Sequence, residues 1–241
     1  MPKIPERFQK ICDELRIAMG ESGRGPGAVK LVVVTKGHAV ESIQAVIEAG
    51  AKDLGENYVQ EALEKVAAFP SNSEIVWHMI GHIQSRKARS VIGNFPWIQS
   101  VDSLKLARRL DRFAGEMNLK PSVLLEYNVS GEGSKFGWDA SDDQSWPDQV
   151  DTVREVLALE NLQVRGLMTM APYDPEPELS RPYYQKLVKL SNFLSQEFGE
   201  NNFRELSMGM SQDYQVAIQE GATIIRVGQA IMGPRPAALG R

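Results

Sequence analysis

The side chain with the clearest chemical potential is a lysine at the end of an apolar segment. Lys36 follows residues 31–35, which are rich in β-branched side chains, and it precedes Gly37. This pattern predicts a strand buried on both faces, with a turn at its carboxyl end. An amine beside such a strand loses hydration, which lowers its pKa and favours imine formation with carbonyl compounds. Taken alone, Lys36 fits better a side chain that extends from the strand end into water. The other segments of the sequence favour a role for Lys36 as a nucleophile.

A second group of residues predicts an anion site. Residues 207–211 lie between a predicted strand and a predicted helix, and Ser211 is a candidate N-cap of that helix. Arg226 and the turn at Gly228 and Gln229 end the last predicted strand. The loops after strands seven and eight of α/β barrels often bind phosphate. Each segment alone also fits a structural role, but the two together predict a phosphate site.

A phosphate site and a poorly hydrated lysine on neighbouring strand ends suit a phosphorylated aldehyde. Pyridoxal 5′-phosphate fits, because its aldehyde forms an imine with lysine. A sugar-phosphate aldolase would use the same two features, so the residues alone leave both possibilities open.

Histidine spacing at first sight suggests a metal site. His78 and His82 are four residues apart, as in zinc-binding helices, but the intervening residues 80–81 include a glycine that interrupts a helix. The chain has only three histidines and one cysteine. We therefore expect no metal site.

Strand and helix patterns alternate eight times, and polar or glycine-rich residues follow each strand. This arrangement predicts a single α/β domain over residues 1–241, folded as a TIM-type (β/α)₈ barrel at about 29–233 with an extra N-terminal helix at about 3–19. The strands are predicted at 30–35, 53–54, 75–80, 97–101, 122–128, 163–168, 205–208 and 223–227. The helices between them are predicted at 42–49, 60–68, 84–92, 103–117, 146–157, 183–198 and 213–220. An open doubly wound sheet is the alternative, and the lack of a strand–GxGxxG–helix unit makes it less suitable. The barrel predicts a ligand site at the carboxyl ends of the strands.

Composition narrows the classes of partner and the compartment. The 241 residues carry a net charge of −4, which argues against nucleic acid or an anionic membrane as the main partner. The single cysteine, Cys12, excludes an internal disulfide and fits a reducing compartment. The first residues lack the apolar core of a signal peptide, and no apolar run has membrane-spanning length. We expect a cytoplasmic protein.

Several segments together resemble the pyridoxal phosphate homeostasis proteins, also known as the alanine racemase N-terminal-like family. The segments that carry the resemblance are VTK at 34–36, GENYVQE at 55–61, WHMIGHIQS at 77–85, NVSGEGSKFG at 128–137, LSMGMSQD at 206–213, GATIIRVG at 221–228 and IMG at 231–233. They occur in the family's order and extend over most of the predicted barrel.

The resemblance implies a fold type III barrel that binds pyridoxal 5′-phosphate. Lys36 would carry the cofactor as a Schiff base, Asn57 would lie beside its ring and Arg226 would face the pyridine nitrogen. Ser211 and the backbone at 228–229 would hold the phosphate. The complete implied set is Lys36, Asn57, His78, Ser207, Ser211, Arg226, Gly228 and Gln229, in which His78 and Ser207 are pocket neighbours.

The expected arginine also bears on catalysis. A guanidinium at the ring nitrogen disfavours protonation of the ring, because two positive charges would meet, and an unprotonated ring withdraws electrons poorly. The related racemases have such an arginine but add a β-rich second domain, whereas only residues 234–241 follow the predicted barrel. We therefore expect a carrier without turnover that supplies the cofactor to cofactor-free enzymes. Because the barrel needs no partner to complete its core, we expect a monomer. The alternative is a small racemase or lyase that acts on amino acids.

Overall fold

Short segments rich in valine, isoleucine and leucine form a closed barrel of parallel strands. The computed structural model describes residues 3–69, 74–133 and 135–235. Ser134, within one of the segments named above, and residues 236–241 lie outside the described residues. The strands are β1 Lys30–Val34, β2 Asp53–Glu56, β3 Val76–Met79, β4 Trp97–Val101, β5 Ser122–Asn128, β6 Trp138–Asp139, β7 Gln163–Met168, β8 Glu205–Ser207 and β9 Ile224–Val227.

Eight of these strands form the barrel ring. Their order is β4-β3-β2-β1-β9-β8-β7-β5, and pairing between β4 and β5 closes it. All the strand pairs are parallel. In the register of β1, Val33 lies opposite Leu54 of β2 on one side and opposite Val227 of β9 on the other. The two-residue β6 pairs only with the end of β5. The predicted α/β class and TIM-type barrel are confirmed.

Helices surround the ring and cover its outer face. They are α1 Ile4–Glu21, α2 Val40–Glu48, α3 Val59–Ala68, α4 Ala88–Ile92, α5 Leu104–Glu116, α6 Val150–Leu157, α7 Arg181–Phe198, α8 Tyr214–Gln219 and α9 Gln229–Met232. The extra N-terminal helix is confirmed as α1, and Arg7 on this helix donates hydrogen bonds to the carbonyls of Ile231 and Met232. Short 3-10 turns at Ser85–Lys87 and Asp143–Gln149 replace the first residues of two predicted helices.

The core has two parts. The larger part lies between the ring and the helices. The smaller part fills the barrel interior, where Val32, Leu124, Met168 and Ile224 are fully buried. In the part of the chain that the structure describes, we find no helix with the length and apolarity needed to cross a membrane.

Candidate functional site

Lys36 lies directly after β1, half-buried at the carboxyl end of the barrel. Burial lowers the pKa of its amine, and the nearby positive charges of Arg235 and Arg226 lower it further, against the opposing effect of Glu56 and Glu61. Among the described residues, none forms a hydrogen bond or an ion pair with the Lys36 Nζ atom. The amine therefore has the poor hydration that the sequence predicts for a nucleophile.

A buried ionic network holds the backbone on both sides of this lysine. Lys65 Nζ donates to the carbonyl of Thr35 at 2.8 Å and to Glu56 Oε1 at 2.7 Å, and the Thr35 hydroxyl donates to the same carboxylate oxygen at 2.6 Å. Glu61 Oε1 accepts from Lys65 and from the backbone N–H of Gly37, at 2.5 and 2.6 Å. Gly37 has a φ of 74°, a left-handed conformation that suits glycine. Hydrogen bonds with Glu56 of β2 and with Glu61 and Lys65 of α3 thus fix Thr35 and Gly37, the residues on either side of the amine.

Six of the eight predicted residues line one cavity of about 300 Å³ at the carboxyl ends of the strands. We call it the Lys36 cavity. The six are Lys36, Asn57, Ser211, Arg226, Gly228 and Gln229. Val34, Ile80 and Met170 add apolar wall. The volume is at the lower end of the roughly 300–1,000 Å³ typical of small-molecule sites.

Ser211 holds the turn between β9 and α9. Its Oγ atom accepts from the N–H groups of Gly228 and Ala230, at 3.2 and 3.3 Å. The expectation that Ser211 caps the helix following its own loop is wrong, because α8 begins at Tyr214 after Asp213. Ser211 instead joins the loops after the seventh and eighth strands of the ring. No described acceptor takes the hydrogen of its hydroxyl group, which can therefore donate to an anion.

A chain of hydrogen bonds crosses the barrel interior and ends on Arg226. Arg226 Nη1 donates to Ser207 Oγ at 2.5 Å, and Ser207 Oγ donates to Gln99 Oε1 at 2.6 Å. Gln99 Nε2 and His78 Nδ1 are 2.9 Å apart, and His78 Nε2 and Asp53 Oδ1 are 2.8 Å apart. The link between Gln99 and Ser207 spans the interior, because β4 and β8 are not neighbours in the ring.

The arginine determines the direction of this chain. A guanidinium only donates, so the Ser207 hydroxyl must donate onward to the oxygen of Gln99. The amide nitrogen of Gln99 then donates to Nδ1 of His78, and the proton of His78 resides on Nε2. Burial lowers the pKa of His78, against the opposing effect of Asp53, and so favours this neutral ring. The chain, with a further bond of 2.8 Å from Arg226 Nη2 to a backbone carbonyl, fixes the guanidinium.

His78 and Ser207 therefore lie beneath the Lys36 cavity and do not form part of its wall. Both are fully buried, and Ser207 contacts Arg226 directly, whereas His78 is connected to it through Gln99 and Ser207. Sequence reasoning missed Gln99 altogether. A polar side chain within the apolar strand WIQSV was the available signal, because a buried amide needs hydrogen-bond partners inside the barrel.

Asn57 follows β2 and presents an unpaired acceptor. Its Oδ1 atom is buried and has no hydrogen-bond partner among the described residues. A Cβ atom on Gly81 would lie 2.2 Å from the backbone oxygen of Asn57, so only glycine lets the loop after β3 approach so closely. Asn57 is thus held at the cavity wall by backbone packing.

As for the histidines, the described ranges contain no group of three or more residues suited to hold a metal ion.

Comparison with known proteins identifies the class of protein to which this barrel and its cavity belong. Residues 14–236 match the family model described as "Alanine racemase, N-terminal domain". Relatives named "Pyridoxal phosphate homeostasis protein" include one from Aquifex aeolicus, 37% identical over 95% of this chain and 97% of the relative. Another, from Synechocystis, is 40% identical over 87% of this chain and 93% of the relative. The chain belongs to the pyridoxal phosphate homeostasis proteins, within the alanine racemase N-terminal domain family.

Solved structures agree with the fold. PipY of Synechococcus elongatus, solved without PLP, gives a TM-score of 0.83 at 35% identity and covers 96% of this chain and 100% of that chain. The same protein with PLP bound gives 0.79. Alanine racemase of Clostridium difficile gives 0.69 at 16% identity and covers 61% of that longer chain, a likeness of fold.

Proposed function

We propose that this chain binds pyridoxal 5′-phosphate in the Lys36 cavity. The observation that carries the proposal is the meeting of three complementary groups in that cavity: a poorly hydrated amine, a guanidinium that only donates, and the loop of Ser211. These groups match the aldehyde, the ring nitrogen and the phosphate of the cofactor. Asn57 also lines this cavity, at the position expected beside the cofactor ring. The structure of PipY with PLP bound, a relative 35% identical, supports the same proposal.

Each residue would have a defined task. Lys36 would hold the aldehyde carbon as a Schiff base, and Asn57 would lie beside the ring. The hydroxyl of Ser211 and the backbone at Gly228 and Gln229 would bind the phosphate. When bound, the cofactor supplies a reactive aldehyde and a ring that can withdraw electrons.

Arg226 would limit that chemistry. Its guanidinium would donate to the ring nitrogen and would disfavour a proton there, because two positive charges would meet. Ser207, Gln99 and His78 hold it in place from below. Without a ring proton, chemistry that needs strong electron withdrawal is restrained. We therefore propose a carrier without turnover.

The proposed cellular role is pyridoxal phosphate homeostasis. A monomer in the cytoplasm would bind the free cofactor and supply it to enzymes that lack it. The relatives' name, "Pyridoxal phosphate homeostasis protein", supports this role at 37–40% identity. A racemase or lyase using the same lysine is the alternative that the experiment below must exclude.

A spectrum of the purified protein with the cofactor added tests the binding. We expect an imine band that borohydride fixes onto the peptide containing Lys36. Lys36→Ala should lose the band, and Lys52→Ala, at an exposed lysine, should keep it. A colourless protein with no modified peptide would exclude the binding. Incubation of the loaded protein with each amino acid in heavy water tests the carrier role, because steady α-proton exchange would indicate an enzyme.

A further inference from the structure

A second cavity of about 490 Å³ adjoins the Lys36 cavity and lies outside the proposed cofactor site. The two share Asn57, Ile80 and Met170 as a common wall. On its other sides the second cavity is lined by Glu126 of β5 and by Phe136, among others. We call it the Glu126 cavity.

Glu126 is a buried carboxyl group without a partner. The residue is 2% exposed, its Oε2 atom has no hydrogen-bond partner, and no hydrogen bond or ion pair joins its carboxyl group to another described residue. Such groups are rare in native proteins, because an unpaired buried charge is costly. Burial raises the pKa of Glu126 to about 7, with a further increase from Asp102 and an opposing effect of Arg226. The carboxyl group therefore lacks a donor that a ligand could supply.

The shared wall adds a second acceptor of the same kind. Asn57 Oδ1 is buried and unpaired, and Asn57 lines the Glu126 cavity as well. Two unpaired oxygen acceptors call for a ligand that brings several N–H donors. One carboxylate and one amide are too few for a calcium or magnesium site, which needs six or more oxygens. An ammonium group, with three donors, matches them.

The remaining wall indicates what the ammonium group is attached to. Lys87 also lines the Glu126 cavity, and its Nζ atom donates to Gln60 Oε1 at 2.9 Å, with no described carboxylate at ion-pair distance. Its positive charge suits an anion on the same ligand. Ile80, Phe136 and Met170 provide an apolar surface. The ring of His82 stacks on Phe136, with ring centroids 3.8 Å apart, and His82 donates a hydrogen bond to Asp102. An ammonium group, an anionic group and an apolar side chain are the parts of an amino acid.

We propose that the Glu126 cavity binds a free apolar α-amino acid, with its ammonium group donating to Glu126 and Asn57. The carboxylate of the ligand faces Lys87, and its side chain lies against the apolar wall. The bound amine lies beside the shared wall of the Lys36 cavity, so a primary amine is held next to the proposed cofactor site. The binding itself needs no cofactor.

Calorimetric titration of the cofactor-free protein with L-leucine tests the proposal. We expect saturable binding, with a heat at pH 7 that depends on the ionisation heat of the buffer, because the arriving ammonium group displaces a proton from Glu126. Glu126→Gln should weaken binding by about tenfold or more, equivalent to about 1.4 kcal/mol, and should remove the buffer dependence. Glu155→Gln, at an exposed carboxylate on α6, is the matched control and should bind like the wild type.

Ligands that lack one group each separate the contacts. 4-Methylpentanoate lacks the ammonium group and should not bind, whereas 3-methylbutylamine lacks the carboxylate and should bind more weakly than L-leucine. Lys87→Met should weaken the binding of L-leucine and leave the binding of 3-methylbutylamine unchanged. Tighter binding of Nα-acetyl-lysine amide than of L-leucine would overturn the assignment to a free amino acid.

The failure of this proposal is distinct from that of the cofactor proposal. No heat with L-leucine, equal binding of 4-methylpentanoate, or unchanged affinity in Glu126→Gln would each overturn amino acid binding. The imine band at Lys36 is measured separately on the same proteins, and its absence leaves the titration result unaffected.

Discussion

Replacement of Gln99 by methionine should destabilise the barrel strongly, although the side-chain volume hardly changes. The amide oxygen of Gln99 accepts from Ser207, and its nitrogen donates to His78. Methionine can do neither, so two fully buried polar groups lose their partner. Each such loss costs about 1–3 kcal/mol, which predicts a decrease of about 2–6 kcal/mol in the free energy of unfolding. That is a large part of the roughly 5–15 kcal/mol by which a typical domain is stable.

Urea denaturation with linear extrapolation measures this decrease. Gln44→Met is the control, since Gln44 is exposed on α2 and Glu48 is its one hydrogen-bond partner among the described side chains. It should change stability by less than about 0.5 kcal/mol. A decrease below about 1 kcal/mol in Gln99→Met would refute the reasoning. Histidine-selective NMR provides a second measurement. The wild type should show the His78 proton on Nε2 and a pKa below that of an exposed histidine, because burial disfavours the charged ring.

Three further predictions concern the cavity and the groups behind it. Ser211→Ala should weaken retention of pyridoxal 5′-phosphate, measured by equilibrium dialysis, while the unfolding transition stays close to that of the wild type. Glu126→Gln should remove a pH dependence of stability, because the carboxyl pKa of Glu126 is about 7 in the fold, above the value of 4.5 for an exposed glutamate. The folded state then binds more protons over that interval, so wild-type stability falls by about 3 kcal/mol as pH rises through it, at 1.36 kcal/mol per pKa unit. Lys65→Met should cost about 3–5 kcal/mol, since Glu56 would remain buried without its cationic partner, and adding Glu56→Gln should restore part of the loss.

Each of these has an outcome that contradicts it. Unchanged cofactor retention in Ser211→Ala would argue against the loop as the phosphate site. Wild type and Glu126→Gln with parallel stability curves from about pH 4 to 8 would show that Glu126 has an ordinary pKa in the fold. A double variant no more stable than Lys65→Met alone would show that the loss does not come from the unpaired carboxylate.

The barrel could be predicted from the sequence because its strands are short, apolar and regularly spaced. The segments at 97–101, 122–128 and 163–168 form strands with the predicted bounds. Residues that follow strands were also accessible, because the carboxyl ends of all strands meet at one end of a barrel. This rule alone brings Lys36, Ser211 and Arg226 to the same cavity.

Contacts between distant strands could not be predicted in this way. The bond between Gln99 and Ser207 joins residues 108 positions apart across the barrel interior, and no local pattern encodes it. Ser211 is a good N-cap by residue type, yet it bonds the backbone at Gly228 because Asp213 precedes the helix instead. Lys65 fits an ordinary helix surface position, and only the packing of α3 against β1 and β2 buries it.

The hydrogen bonds beneath the Lys36 cavity have a consequence for proton conduction. A relay moves a proton only if every member can release one hydrogen and take up another, which reverses the direction of each bond. Arg226 has no lone pair with which to take one up, so the row from Asp53 to the guanidinium cannot reverse. It acts as an insulator, so no proton enters or leaves the Lys36 cavity along this row.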